Sequence, residues 1–566
     1  PSHLNNFIKG NPASGGTPQW MGRLDYRLNA KHNFFGRYGE TAQARSGGIV
    51  WGDGNPAEPT TVAPRSRRGR NLTMDWTAAL NSSTTWNLRT GFARQENVFG
   101  NRFGKGFNPR DLNFPSSLVS RLPALQFPLF TMGTYTRLGS DRVDDFNADD
   151  TYTIQASVGK VIGRHVMKMG TDLRRYTKLT KNLGAASGSY LPGKGWTQSD
   201  PQRADAFSGN EVASLLLGYA SSGNVDSNIN PAYSNRYYSL FLHDNWKATR
   251  KLSVDLGLRW DYEAPIVERH NRMNRGFAFD QPSPIASKVP GLNLRGGLLF
   301  AGDSGSSRFA FEPDRTNFQP RIGVAYSINS KTVLRGGYGL YIYGQSAAGS
   351  TAGFSRSTPL IASLDGGLTP GTLSDPFPAG LLQAIGSSLG LTTDLGLGIG
   401  FNYLARPLPV SHQFSAGFQR ELPGALLADV SYAGNIARGL PAGAGLNFIA
   451  TGQLGRAPSY YSERIPNPLA GLLPNNPALN GVTIPRQNLL VAYPQYAGIG
   501  MSNIPAGSSR YDALQASVKR RYRGGFTFQV NYMISKTLEQ LVMLNPQDFD
   551  AANPLNTRFE KRLTAF

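Results

Sequence analysis

Cysteine is absent from the 566-residue sequence, which excludes disulfide bonds, thiolate metal ligands and cysteine nucleophiles. Charge is scarce as well, because only 17% of the residues are Asp, Glu, Lys or Arg. No run of 18 apolar residues occurs, so no transmembrane helix is predicted. The longest candidate, residues 379–401, is interrupted by glycines and by Asp394. The sequence therefore indicates neither a disulfide-stapled domain nor a helical membrane protein.

Acidic residues are also few. The sequence has 37 Asp and Glu but 58 Lys and Arg, which gives a formal charge of +21. Such an excess suggests an anionic partner such as nucleic acid or a phosphorylated lipid surface. The densest basic run, RSRRGR at Arg65–Arg70, is short and no basic helix follows it. We therefore interpret the charge as spread over a polar wall and polar loops, and predict no nucleic-acid partner.

The chain shows no methionine start and no signal peptide, because it opens with Pro1. At the other end, counting back in twos from Phe566 gives Thr564, Arg562 and Glu560, which is no apolar face for a final strand. We expect the sequence to be an internal fragment of a longer protein.

The sequence does contain segments in which apolar and polar residues alternate. In KLSVDLGLRWDYEA, residues 251–264, apolar or aromatic side chains occupy every second position from Leu252 to Tyr262. Ser253, Asp255, Gly257, Arg259 and Asp261 lie between them. A period of two is typical of a β-strand with two different faces.

This pattern recurs in pairs around short turns, which predicts seven hairpins and fourteen strands. The turns are NAKH (29–32), NSST (81–84), GKVIGR (159–164), KATR (247–250), NSK (329–331), PGA (423–425) and RGG (523–525). A possible fifteenth strand begins near Arg558. Between hairpins, connections of 29 residues (41–69) to 74 residues (436–509) are rich in Gly, Pro, Ser and Asn.

Alternating short and long connections are typical of an antiparallel up-and-down transmembrane β-barrel of an outer membrane, with short periplasmic turns and long extracellular loops. A tilted strand needs about 9–11 residues to cross the hydrocarbon layer, which the stretch from Leu252 to Tyr262 provides. The apolar row is predicted to face lipid, and Asp255, Arg259 and Asp261 to face a wet lumen. The reverse register would place Arg259 in lipid at about 2–4 kcal/mol.

Four segments, at 237–265, 317–343, 411–435 and 511–539, resemble the TonB-dependent outer-membrane receptors. They are most similar to the Oar-like branch, which carries a carboxypeptidase-regulatory-like domain. GRLDYRLNAKHNFFGRY (22–38) resembles an early barrel hairpin of this group.

The resemblance implies a 22-stranded barrel plugged by an N-terminal domain, which imports a scarce or bulky nutrient with energy relayed by the TonB complex. On this interpretation residues 1–566 are part of one receptor barrel, with about 14–15 of the 22 strands. The regulatory domain, the plug and the C-terminal strands are absent from the chain.

The predicted location is the outer membrane of a Gram-negative bacterium. The expected partners are outer-membrane lipid and lipopolysaccharide, the TonB complex through the missing plug, and an unknown nutrient such as a siderophore or an oligosaccharide. Arg65, Arg67, Arg68 and Arg70 are a hypothetical contact to lipopolysaccharide phosphates, because arginine binds phosphate in a bidentate manner. Simple loop solubility explains the same run.

No enzymatic activity, catalytic residue, metal site or cofactor is predicted. GDSGS (302–306) is similar to a serine-protease loop, but none of the six histidines lies in the context that such a site uses. His243 and Asp244 are neighbours on one strand and should point to opposite faces. Five aspartates in residues 141–150 do not have EF-hand spacing. Lumen positions such as Asp255, Arg259, Gln529 and Asn531 are too generic to define a substrate site.

Two other functions remain open at this point. The same barrel could serve as a structural or adhesive protein that displays long surface loops, and a plug upstream would favour transport instead. A soluble basic β-protein that binds nucleic acid or polysaccharide is the third possibility, and it would need no detergent for extraction.

Overall fold

In the described part of the chain, a single antiparallel wall of fifteen strands, numbered β1 to β15, dominates the computed structural model. The structure describes residues 14–46, 49–52, 54–59, 65–100, 103–140, 142, 145–201, 203, 205, 207–344, 349–363, 367–449, 451–541 and 561–564. The wall strands are β1 Gln19–Arg27, β2 His32–Arg45, β3 Arg65–Asn81, β4 Thr84–Phe99, β5 Asp145–Ile162, β6 His165–Lys181, β7 Ala232–Trp246, β8 Leu252–Glu263, β9 Asn317–Asn329, β10 Thr332–Ile342, β11 Val410–Leu422, β12 Leu426–Gly445, β13 Gly498–Arg523, β14 Phe526–Gln540 and β15 Lys561–Leu563.

Each wall strand pairs with the next in the sequence, and all fourteen pairings are antiparallel. The seven predicted hairpins are confirmed, with turns at residues 28–31, 82–83, 163–164, 247–251, 330–331, 423–425 and 524–525. In the described part of the chain, no pairing joins β1 to β14 or β15. The predicted start of the last strand near Arg558 lies outside the described residues.

The wall strands extend further into the long connections than the sequence predicted. The first connection spans residues 46–64 rather than 41–69, and the longest predicted one spans 446–497 rather than 436–509. β3 starts at Arg65, within the connection predicted for residues 41–69, because Arg65–Arg70 pairs with β2 on one side and with β4 on the other. The basic run is thus part of a strand and not of a loop.

Apolar side chains cover the outer face of the wall and are exposed. Leu240 is 58% exposed, Phe318 55% and Leu514 46%, whereas Ser239 and Asp261 on the opposite face are 0% and 8% exposed. Directly opposed residues on neighbouring strands share a face, so the register extends this assignment across the sheet. Polar groups inside and apolar groups outside are what a strand between lipid and an aqueous lumen requires.

The long connections on the external side fold into a layer that we call the roof, formed by residues 103–140, 182–231, 264–316, 349–409 and 446–497 where these are described. The sequence did not predict this, since these segments lack a regular apolar period. The larger roof cluster is Phe277, Ile285, Val289, Leu294, Leu298, Phe300, Leu395, Ile399, Phe401, Leu469, Leu473, Leu479, Ile484, Tyr496 and Ile499. The smaller is Phe114, Leu118, Val119, Phe127, Phe130, Tyr190, Ala220, Val225, Leu373 and Phe377. Residues buried together from different connections hold these loops in place.

Short elements organise the roof. Its strands are Leu129–Phe130, Ser189–Leu191, Ser222–Ser227, Val267–Glu268, Asn274–Phe277, Leu298–Phe300, Arg356–Pro359, Gly398–Asn402, Arg464–Pro466 and Thr483–Pro485, and Gly15–Gly16 pairs with β2. Its α-helices are Ser116–Val119, Glu211–Leu216, Pro458–Ser462 and Pro477–Asn480. Its 3-10 helices are Pro109–Leu112, Lys194–Thr197, Ala286–Lys288, Gly390–Thr392, Thr451–Gln453 and Arg486–Leu489. Within the described ranges, each helix is too short and too polar to cross a membrane.

Candidate ligand-binding lumen

A row of polar side chains crosses the inner face of the wall at mid-height, and we call it the belt. Its members stand directly opposite one another from β3 to β9, and they are Asp75, Arg89, Gln155, Asp172, Ser239, Asp261 and Asn317. Asp75, Asp172 and Asp261 are 5–8% exposed. Because buried carboxylates are stable only when they are paired, each of the three should have a cation beside it.

Three arginines supply these cations. Arg89 Nε lies 2.9 Å from Asp75 Oδ2, and Arg259 Nε lies 2.8 Å from Asp261 Oδ1. Arg174 Nη2 lies 2.5 Å from Asp172 Oδ2. Three carboxylates and three guanidinium groups balance, so the belt has no charge left over for a ligand.

Amide side chains complete the belt. Gln155 Nε2 donates to Asp172 Oδ2 at 3.1 Å, and Gln319 Nε2 donates to Asp261 Oδ2 at 2.5 Å. These contacts join β5 to β6 and β8 to β9. We assign the belt to holding the wall together, because each buried carboxylate would lose its counter-charge if its arginine were removed.

Above the belt, at the external end of the inner face, lies a second polar surface that we call the vestibule. Its upper row is Arg67, Asn97, Asn147 and Thr180, and its lower row is Gln95, Asp149, Lys178 and Tyr233; within each row, neighbours are directly opposed in the register. The roof covers this surface, and a cavity of about 850 Å³ lies between the two.

The vestibule differs from the belt in how its polar groups are used. Among the described residues, no hydrogen bond or ion pair involves the side chains of Arg67, Gln95, Asn147, Asp149 or Lys178. The roof side of the cavity is more constrained, since Asp226 accepts hydrogen bonds from the Ala185 backbone N–H at 2.9 Å and from the Ser357 hydroxyl at 2.6 Å. Unpaired donors and acceptors on a concave surface are the feature expected of a ligand site.

The vestibule continues towards the belt. A second cavity of about 480 Å³ shares Asp149, Lys178 and Tyr233 with the first, and extends down to Arg174 and Asp261. A third cavity of about 570 Å³ lies against strands β7 to β13. Polar cavities therefore occur both beneath the roof and along the wall.

The roof is anchored to the wall beside the vestibule by Glu268. This carboxylate is fully buried and accepts hydrogen bonds from the backbone N–H groups of Ala232 (3.2 Å), His270 (2.7 Å) and Arg272 (2.9 Å). Burial acts to raise the pKa of Glu268, but the three N–H donors outweigh it and hold the pKa below its usual value. The anchor is therefore ionised at neutral pH.

The residues predicted for the lumen lie where the sequence placed them. Asp255, Arg259 and Asp261 are on the inner face, and so are Gln529 and Asn531, which share a hydrogen bond of 2.9 Å. We assign no substrate contact to them, and Arg259 and Asp261 are engaged in the belt.

His243 and Asp244 point to opposite faces, as predicted. His243 Nε2 lies 2.8 Å from Asp255 Oδ1 on the inner face, and His165 Nδ1 lies 2.7 Å from Asp244 Oδ2 on the outer face. No cluster of three metal-ligating side chains occurs among the described residues. Of the five aspartates, Asp141 and Asp144 lie outside the described part, while Asp149 and Asp150 diverge to the two faces.

The run RSRRGR is divided between the faces. Arg65 and Arg67 point inward, so they cannot meet lipid, while Arg68 and Arg70 point outward. Arg68 Nε lies 2.5 Å from Glu40 Oε1, which already occupies it. The hypothesis that all four arginines contact lipopolysaccharide is therefore wrong for Arg65 and Arg67, because residues alternate between the faces of a strand.

Sequence reasoning missed the vestibule. Asn147 and Asp149 alternate with Phe146 and Ala148, which is a strand signal, but the neighbouring aspartates made the segment resemble a solvated acidic loop. Lys178 in β6 carried the same signal.

Comparisons with known proteins agree with this geometry. A family model described as an outer membrane beta barrel domain matches residues 1–566. No curated protein sequence matches the chain. Among solved structures, the outer membrane transporter YddB from Escherichia coli is similar, with a TM-score of 0.50 and 10% identity over 93% of this chain and 48% of that one.

Two further solved structures cover nearly all of the chain. The ferric enterobactin receptor PfeA from Pseudomonas aeruginosa, in a G324V mutant, has a TM-score of 0.44 and 11% identity over 96% of this chain and 57% of its own. The iron transporter FrpB from Neisseria meningitidis has a TM-score of 0.43 and 11% identity, with 97% and 58% covered. The chain thus spans about half the length of these proteins.

Proposed function

Because this chain belongs to the outer membrane beta-barrel domain family, and so lies in the outer membrane of a Gram-negative bacterium, we propose that it forms part of a TonB-dependent receptor. In this proposal, residues 1–566 belong to one receptor barrel of the Oar-like branch. The receptor takes up a scarce or bulky nutrient, which the vestibule captures and leaves chemically unchanged. Energy reaches it from the TonB complex through a plug domain.

The observation that carries the proposal is the vestibule with its unpaired polar side chains. A cavity of about 850 Å³ suits a small-molecule ligand in size, and the adjoining cavity leads from it along the lumen. A wall that only displayed loops would have no need for such a surface beneath them.

A structural or adhesive barrel is the second candidate, and the folded roof favours it. Two buried apolar clusters give the roof a fixed outer surface, which a protein that binds another cell or a solid support would use. This candidate needs no ligand in the vestibule and no energy supply.

The test is a capture experiment followed by an uptake measurement. The protein is purified from outer membranes in detergent, incubated with concentrated spent growth medium, and its retained small molecules are identified by mass spectrometry. We expect a retained compound that Asn97→Leu combined with Asn147→Leu removes, because leucine offers no hydrogen bond. The matched control is Gln529→Leu with Asn531→Leu, which alters two inner-face amides on distant β14.

Uptake of the identified compound by cells then separates the two candidates. A receptor coupled to TonB stops accumulating the compound when a protonophore collapses the proton-motive force. Retention that is equal in the vestibule variant and the wild type would contradict a transport site here. Adhesion of cells lost with the gene, in the absence of any uptake, would favour the adhesive barrel.

A further inference from the structure

Two arginines without a counter-charge lie opposite each other on the outer face of the wall. Arg175 on β6 and Arg236 on β7 are directly opposed in the register. The preceding opposed pair on the same face is Leu173 and Tyr238, where the apolar band ends. Both side chains are exposed, and neither has an ion pair or a hydrogen bond to any residue that the structure describes. Like charges that are directly opposed on neighbouring strands destabilise a sheet.

A third cation, Arg315, lies at the end of the roof segment that precedes β9. Arg315 stacks its guanidinium over Tyr262, with 5.5 Å to the ring centroid, and Tyr262 in turn stacks on Tyr238 at 6.1 Å. The backbone carbonyl of Arg315 accepts a hydrogen bond from Trp260 Nε1 at 2.8 Å, which fixes this segment against the wall. We call Arg175, Arg236 and Arg315 the rim cluster.

Nearby carboxylates are already engaged. Asp150 accepts from Thr177 at 3.3 Å and lies 3.6 Å from Arg94, while Asp314 accepts hydrogen bonds from the backbone N–H and hydroxyl of Thr316. The rim cluster is therefore a concentration of positive charge with no acid paired to it in the described part of the molecule.

The adjacent part of the same rim shows the contrast. On β2 to β4, Glu40 lies 2.5 Å from Arg68 and 3.9 Å from Arg70, and Glu96 lies 3.8 Å from Arg70 and 2.8 Å from Arg94. With Asp150 at 3.6 Å from Arg94, three carboxylates accompany these three arginines. The rim cluster has no such partners among the described residues, so an external anion is needed beside β6 to β9.

An apolar groove lies directly below the rim cluster on the same outer face. It has a volume of about 540 Å³, and its sides include Trp86, Met169 and Trp260. The small side chains of Ala156 and Thr171 meet at its centre, where they are register partners. Four residues separate Thr171 from Arg175 along β6, which is about 13 Å.

We propose that the rim cluster and this groove together bind one molecule of lipopolysaccharide. A lipid A phosphate sits among Arg175, Arg236 and Arg315, and an acyl chain of the same molecule fills the groove. Arginine matches phosphate in a bidentate geometry, and the anion removes the repulsion between the opposed arginines. A phosphate at the edge of the apolar band with its acyl chains below it is the arrangement of a glycolipid in the outer leaflet. This site is independent of the ligand that the vestibule carries.

The test uses native mass spectrometry to measure how much lipopolysaccharide stays bound to the protein. The protein is purified from outer membranes in dodecyl maltoside. We expect the bound fraction to fall about tenfold or more in Arg175→Gln combined with Arg236→Gln, since charge-assisted hydrogen bonds are lost. Thr171→Trp fills the groove and should lower the bound fraction by excluding the acyl chain, while the arginines stay in place. The control is Arg37→Gln with Arg335→Gln, which removes two inward-facing cations from the same wall, both outside the vestibule.

Heat-modifiable mobility on a gel establishes that each variant is folded before it is compared. Added back to delipidated protein, bisphosphorylated lipid A should bind more tightly than the monophosphorylated form, and inorganic phosphate alone should fail to compete. Lipopolysaccharide retained by the double arginine variant at the wild-type level would overturn the proposal. Equal retention of phosphatidylglycerol in place of lipopolysaccharide would overturn it too.

Discussion

The wall and the roof both keep apolar side chains away from water, but they do so with opposite arrangements. In the wall, large apolar side chains such as Leu240 are exposed, while Asp172 and Ser239 are buried. In the roof, Leu298, Leu469 and Leu473 are at most 1% exposed, as in a water-soluble domain. One chain therefore carries two solvent environments, and the boundary between them is the external rim of the sheet.

The difference teaches that burial must be judged against the local solvent. An exposed leucine on the wall gains its stabilisation from hydrocarbon, whereas a buried leucine in the roof gains it from neighbouring side chains. The same residue type should then respond differently to the same substitution in the two regions.

The largest expected effect is in the roof core. Leu298→Ala leaves a cavity in the larger cluster, where Leu298 is 1% exposed, and should cost about 2–5 kcal/mol. Limited proteolysis in detergent should then cut within the roof while the wall persists. Leu240→Ala is the matched change on the outer face, where lipid or detergent chains fill the space. If Leu240→Ala opened the protein to protease equally, the comparison would fail.

A smaller effect is expected from a charge on the wall, and its size depends on the face. Leu514→Arg points into hydrocarbon and should cost about 2–4 kcal/mol near the midplane, measured by urea unfolding in lipid vesicles. Gln515→Arg is the neighbouring inward position, so its cost should be close to zero. Equal costs for the two variants would contradict the assignment of the faces.

The junction between the two regions should respond to pH. Because the pKa of Glu268 is lowered in the folded protein, its contribution to stability is present above the unfolded pKa and is lost as the pH falls through the folded pKa. Glu268→Gln should remove about 1–3 kcal/mol at pH 7 and flatten the acid limb of the thermal-unfolding curve. An acid limb that is unchanged in Glu268→Gln would show that another group controls it.

The smallest expected effect is a gain in stability, whereas the changes above lower it. Tyr190 is 1% exposed in the smaller cluster, and its hydroxyl has no hydrogen-bond partner there. Burial raises the pKa of this phenol above its ordinary value. Tyr190→Phe should therefore stabilise the roof by up to about 1 kcal/mol in thermal unfolding. A loss of stability would mean that the hydroxyl is satisfied in solution.

The sequence was informative about the wall because a strand between two solvents must alternate at every step. The rows from Leu252 to Tyr262 and from Leu514 to Val518 predicted both the hairpins and the faces. The contact between Asp172 and Arg174 follows from their spacing of two on one strand. The contact between Asp172 and Gln155 could not be predicted, because it depends on the register of β5 against β6.

The roof and the vestibule were beyond such reasoning for a physical reason. Leu298, Leu473 and Ile484 come from connections far apart in the sequence and pack in irregular segments, so no period marks them. The vestibule depends on the same distant contacts, because Asp149 and Lys178 become a covered surface only once residues 182–231 fold over them.

Strand β13 bridges the two regions without a break. Its first residues pair in parallel with Gly398–Asn402 of the roof, and the strand then runs the full height of the wall to Arg523. A continuous strand of this kind joins one side of the roof to the wall below it. On the opposite side, β7 is joined to the roof only through the short pairing of Tyr233 and Ser234 with Val267–Glu268 among the described residues, so a ligand that enters from outside should displace the roof there first.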